Sequence, residues 1–170
     1  MYKRQVVTVS LRDALRSVLV WLQVLPPLPL SLQRVGVFHS VEHRPEGYAL
    51  TWERTPFFAR VAWRYDRVFH RQPGDSVACF SSVFAPRGMA EDILHRWERY
   101  GPEGWTPVDE MRLEVAGGRA EGFRTYSRKE NVSPGAWRVR ILLTTGRELG
   151  RVQFEVVDGP PKHPMVTEVF

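Results

Sequence analysis

The chain has 170 residues, enough for one domain with an appendage, and 43% of them are apolar against 25% charged, which excludes a disordered chain. Its net charge of +5 does not mark a nucleic-acid binder: residues 1–34 hold five basic residues against Asp13, while residues 35–170 hold 19 basic and 18 acidic residues. The single cysteine, Cys79, rules out an internal disulfide and every multi-cysteine zinc pattern; within the run Val77-Ala78-Cys79-Phe80 it reads as a small buried hydrophobe.

The opening MYKRQ resembles translated adaptor sequence, which would put the natural start further upstream. Residues 17–32, SVLVWLQVLPPLPLSL, carry no charge. A bilayer-spanning helix needs about 20 apolar residues, so this run is short, and Pro26, Pro27 and Pro29 would end a helix near Leu25. Three readings stand: a membrane helix from about 6 to 25, an amphipathic helix over 11–25 with Leu11, Leu15, Val18 and Leu22 on one stripe, or a signal peptide without a small-residue cleavage site. The expectation adopted is an N-terminal apolar, membrane-proximal helix with a Pro-rich junction over 1–35, contacting the membrane through residues 11–32. Basic residues before the apolar run place the chain beyond it outside the cytoplasm.

From Gly36 onward the pattern becomes short apolar runs broken by turn residues, with expected strands at 37–42, 47–53, 76–85, 92–100, 108–116, 122–128, 136–143 and 149–157. Pro73-Gly74-Asp75, Gly101-Pro102-Glu103-Gly104, Gly117-Gly118, Ser133-Pro134-Gly135 and Thr145-Gly146 supply the turns. Met111, Leu113 and Val115 alternate with Arg112 and Glu114, and Trp137, Val139 and Ile141 with Arg138 and Arg140, so one face is buried and the other wet. The fold class expected is all-β, an antiparallel, immunoglobulin-like β-sandwich over 36–158, followed by a loose tail at 159–170 containing Pro160, Pro161 and Pro164.

Several stretches carry a family resemblance: His95-Arg96-Trp97, then Gly117-Gly118-Arg119, Gly122-Phe123-Arg124-Thr125-Tyr126-Ser127, Pro134-Gly135-x-Trp137-Arg138-Val139, and Gly146-Arg147-x-Leu149-Gly150-Arg151-x-x-Phe154-x-Val156. In combination they resemble the bacterial domain of unknown function 2914, most closely over residues 95–156. Members often carry membrane helices before this domain, so the resemblance implies the C-terminal part of a larger membrane protein. The family has no established activity, and it lends no catalytic residue.

No nucleophile elbow, zinc-protease helix or phosphate-binding glycine loop is present, and neither an enzyme nor a cofactor is expected. His39 and His43 flank Glu42 at a spacing that permits a metal pair, but without a third ligand two exposed histidines are the better reading. His95 lies two residues before Trp97 and reads as a partly buried histidine bonded across a sheet, because a catalytic base would need a nucleophile that the sequence does not name. The remaining lead is aromatic. Trp105 after Gly104 in a turn, with Trp97, His95, Arg124 and Tyr126, makes a candidate ligand-binding set. The functional expectation is a non-catalytic, membrane-tethered interaction module for protein or glycan of the cell envelope, with no nucleic-acid partner. Its alternatives are a carbohydrate- or cell-wall-binding module and, further off, a metal-dependent hydrolase.

Overall fold

The computed structural model describes residues 30–54, 67–85, 90–116 and 123–170. The helix expected within 1–35 falls on residues 1–29, outside the described residues, and no described helix is long and apolar enough to cross a membrane. Eleven strands are described: β1 (Ser31–Phe38), β2 (Ser40–Arg44), β3 (Gly47–Glu53), β4 (Arg67–Arg71), β5 (Val77–Phe84), β6 (Ala90–Gly101), β7 (Gly104–Ala116), β8 (Phe123–Lys129), β9 (Gly135–Leu143), β10 (Glu148–Asp158) and β11 (Met165–Val169).

They form three sheets. A large sheet has the order β4-β10-β9-β6-β7, a middle sheet β1-β5-β8 and a small sheet β11-β3-β2. All pairings are antiparallel except β10 with β4. The middle sheet is the organising layer, because period-two alternation aims its side chains in opposite directions. Val37, Val77, Cys79 and Val83 join Ile93, Trp97, Val139, Ile141 and Phe154 of the large sheet in one core. Their neighbours Phe38, Ala78 and Phe80 join Val41 and Leu50 of the small sheet in a second core, edged by Tyr48, Trp52 and Phe170. Sequestered on both faces, β5 reads as the continuous run VACFSSVF and is buried from Val77 to Val83. Each large apolar side chain so enclosed is worth roughly 1.5–3 kcal/mol in transfer from water. Cys79 is a free, buried thiol whose ionisation is pushed up by desolvation, as a packing residue requires.

The structure corrects the sequence reading in four places. The β-domain starts before Gly36: β1 begins at Ser31, and a bulge between Leu32 and Arg34 lets Leu32 and Val35 both pack on the main core, which breaks the alternation that would have marked the strand. β4 is five residues long with arginine at each end, too short for a periodic signal. The hairpin of β6 and β7 is longer than 92–100 and 108–116, because Pro107 is accommodated at a bulge on an edge strand, where its missing N–H costs no ladder bond. The tail expected loose from 159 is not: Met165–Val169 pairs in register with β3, and Phe170 and Tyr48 exchange backbone hydrogen bonds of 2.9 and 3.0 Å. Gly47 permits that closure. Its φ of 146° suits glycine, and a Cβ there would overlap the Phe170 carbonyl. The third sheet that results was not part of the two-sheet expectation.

Candidate binding surface

His95 projects from β6 into the space between the large and middle sheets and is fully buried. Its Nε2 lies 2.9 Å from Ser81 Oγ and its Nδ1 lies 2.8 Å from Ser127 Oγ. Trp97 Nε1–H donates to the same Ser127 hydroxyl at 3.1 Å, and Ser81 reaches Thr125 Oγ1 at 3.0 Å. One arrangement uses every donor: Trp97 to Ser127, Ser127 to His95 Nδ1, His95 Nε2–H to Ser81, Ser81 to Thr125. Burial pushes the imidazole down to about 3, which keeps it neutral and matches that assignment. Serine and histidine at this spacing resemble a nucleophile and its base, yet Ser81 is as sealed as His95 and nothing can approach either. The network therefore satisfies polar groups inside the core, and His95 and Trp97 sit where no surface ligand reaches.

Trp105 is placed differently. The two-residue turn Pro102-Glu103 pairs Gly101 with Gly104 and sets Tyr100 opposite Trp105. The two rings meet edge to face with centroids 5.2 Å apart, and Tyr100 is 56% exposed. From β9, the Arg138 guanidinium lies 4.5 Å from the centre of the Trp105 ring. Arg138 is fixed by Glu98, whose side chain is only 3% exposed and which also takes Arg140 at 3.5 Å. Arg140 extends the chain to Glu148 at 2.7 Å. Rigid aromatic and guanidinium groups thus share the tip of the long hairpin. Tyr100, which the sequence reading passed over, follows from the turn: two residues between Gly101 and Gly104 force positions 100 and 105 to pair.

Arg124 and Tyr126 do not join that tip. Both lie on β8 of the middle sheet, and Tyr126 meets Tyr48 of the small sheet at 6.1 Å. The five residues proposed from sequence as one ligand set are therefore spread over the core, the hairpin tip and the opposite side of the middle sheet.

The two candidate metal histidines are also apart in role. His39 occupies the break between β1 and β2 and stacks on Phe69 at 4.1 Å, and its ring is held below its ordinary value by burial. His43 is exposed and leans on Tyr48 at 5.1 Å. Among the described residues no group of three or more His, Cys, Asp or Glu side chains is arranged to hold a metal ion. A pairing the sequence reading missed is His70 with Glu53, whose Nδ1 and Oε2 lie 2.7 Å apart in a buried setting. Residues 17 apart, on strands of two different sheets, leave no local signal of that kind.

The family model described as "Protein of unknown function (DUF2914)" matches residues 90–156, which span β6 to most of β10 and include the hairpin tip. No curated protein matches the chain. Among solved structures, an immunoglobulin-like protein from Pseudomonas aeruginosa is similar at 10% identity and a TM-score of 0.42, with 77% of this chain and 98% of that chain covered. An alkylpurine DNA glycosylase from Pseudomonas fluorescens, solved with DNA containing an abasic site analogue, is similar at 14% identity and a TM-score of 0.38, over 86% of this chain and 37% of that one. A β-glucosidase from Listeria innocua, in complex with isofagomine, is similar at 10% identity and a TM-score of 0.35, over 77% of this chain and 16% of that one.

Proposed function

With residues 90–156 matching the DUF2914 family model, we propose that the chain is a non-catalytic interaction module of immunoglobulin-like build, held at a membrane by the part of residues 11–32 that precedes Leu30, since Leu30 and Leu32 are spent in the main core, and turned toward the cell envelope. The observation that carries this reading is the division of its polar and aromatic groups. The side chains with catalytic chemistry, His95 and its serines, are spent inside the core, while Tyr100, Trp105 and Arg138 stand at the hairpin tip on rigid strands. The uncharged residues 17–29, ahead of β1, support the membrane end of the proposal. Co-sedimentation of the whole chain with anionic lipid vesicles tests it. Wild type is expected in the pellet, and Val18→Glu/Leu22→Glu in the supernatant. Equal partitioning of the two would defeat the tether.

A second reading, carbohydrate binding, is favoured by one feature: the Trp105 ring presented beside the exposed Tyr100, an arrangement that suits stacking on a pyranose face. Titration with a panel of envelope oligosaccharides should then quench tryptophan fluorescence in wild type and not in Trp105→Ala. A spectrum unchanged across the panel removes this reading and leaves the first intact.

A further inference from the structure

Glu53, the last residue of β3, holds three chain segments at once. Its Oε2 accepts from His70 Nδ1–H at 2.7 Å, and its Oε1 accepts the backbone N–H groups of Lys162 at 2.6 Å and His163 at 2.8 Å. His70 belongs to β4 of the large sheet, and residues 162–163 form the bend just ahead of β11. Next to this carboxylate the Arg54 N–H donates to the Pro164 carbonyl at 2.9 Å, and from there β11 pairs along the whole of its length with β3. We propose that Glu53 is a proton-operated clasp: ionised, it pins the C-terminal strand to the small sheet, and protonated it lets that strand lift from β3.

The argument is geometric. A carboxylate with one oxygen on two backbone N–H groups and the other on an imidazole N–H accepts through both oxygens, and all three donors favour the charged form. A proton on either oxygen replaces an acceptor with a donor that faces other donors. His70 cannot adjust freely, because its Nε2 is buried with no hydrogen-bond partner, so a tautomer switch would aim an N–H at nothing. The other titratable or charged groups around the clasp are His39, Asp75, His163, Lys162 and Arg54. Burial holds the His39 ring below its ordinary value, and an imidazole could not take over the two-oxygen acceptor role of Glu53.

Burial by itself pushes the Glu53 carboxyl up, but the hydrogen bonds from His70, His163 and Lys162 outweigh it and hold the group below its ordinary value of 4.5. The clasp is therefore fully closed above that value and opens as the pH falls through the lowered one. Opening strips β3 of one neighbour and frees a row of backbone N–H and C=O groups beside Trp52, the kind of edge to which another strand can add.

Hydrogen exchange on the whole chain tests this, with Glu53→Gln as a neutral isostere of the protonated clasp. At neutral pH the amides of 165–169 are expected to lose about tenfold or more of their protection in the variant, while those of 135–143 keep theirs. Wild type, corrected for intrinsic exchange, should converge on the variant below pH 4.5, and the variant's own protection should vary less steeply with pH than that of wild type. Unchanged protection in Glu53→Gln overturns the proposal, as does loss of protection spread evenly over all three sheets. The wild-type pH series decides the matter alone if the variant fails to fold.

Discussion

Replacement of His95 by alanine is expected to cost about 3–5 kcal/mol of folding stability, because it combines a core cavity with two serine hydroxyls deprived of a shared partner. Urea unfolding monitored by tryptophan fluorescence measures this. The more discriminating result concerns pH. His95 is pushed down to about 3 by burial, against an ordinary 6.5, so below pH 6.5 the unfolded chain takes up a proton that the folded chain refuses. The contribution is complete above pH 6.5 and declines by about 1.4 kcal/mol per pH unit as acid is added, until the buried ring itself protonates near 3. His95→Gln keeps a donor and an acceptor but cannot titrate, and its stability should fall less steeply with acid than that of wild type. Parallel pH profiles for the two proteins would show that His95 is not held neutral. A catalytic role predicts nothing of this kind, since a working base must be open to its substrate and titrate near the pH at which it acts.

The alternation of Trp137, Val139 and Ile141 with Arg138 and Arg140 is legible in the chain because β9 is central and this stretch pairs in unbroken register with both neighbours. Where a bulge intervenes the same rule misleads: Leu32 and Val35 lie three apart and both face the core. The small sheet illustrates a second limit. MVTEV at the C-terminus alternates as a strand should, but its partner β3 lies more than a hundred residues upstream, and the prolines before it point to a loose tail. At the candidate surface, Trp105 announces itself by following a turn glycine, and the turn length then places Tyr100. The histidine network is the opposite case. The sequence reads His95 as a partly buried histidine bonded across its sheet; it is instead fully buried and bonds Ser81 and Ser127, 14 and 32 residues away on the facing sheet, in strands whose adjacency only the assembled sheets define. Serine is common enough that nothing singles these two out beforehand. The same holds for Glu98: in sequence it is one charged residue among several in β6, and only the Trp97–Glu98 bulge opposite Pro107, with Arg138 laid over it, explains its burial.

Arg138→Ala should be the most damaging single change on the outer face of the large sheet, at about 2–4 kcal/mol, because it strands the buried Glu98 carboxylate with only the more distant Arg140 guanidinium at 3.5 Å. Glu98→Leu is expected to cost less, since Arg138 has more access to water than Glu98 and keeps the Trp105 ring as a neighbour. The double replacement Glu98→Leu/Arg138→Leu should recover much of the loss, as apolar substitutes for a buried ion pair often do, while Arg140 retains Glu148. A double-mutant cycle by urea unfolding, closed with the single Arg138→Leu, would then return a coupling of about 2 kcal/mol between the two positions. Additive losses would mean that the pair is exposed enough for water to serve each charge separately. The cycle also bears on the binding surface, because Arg138 is what fixes a cation against Trp105. If the hairpin tip takes a ligand, Glu98→Leu, which leaves Arg138 in place but unanchored, should weaken binding by loosening the guanidinium. A variant that bound as tightly as wild type would show that the ring pair Tyr100–Trp105 suffices without it.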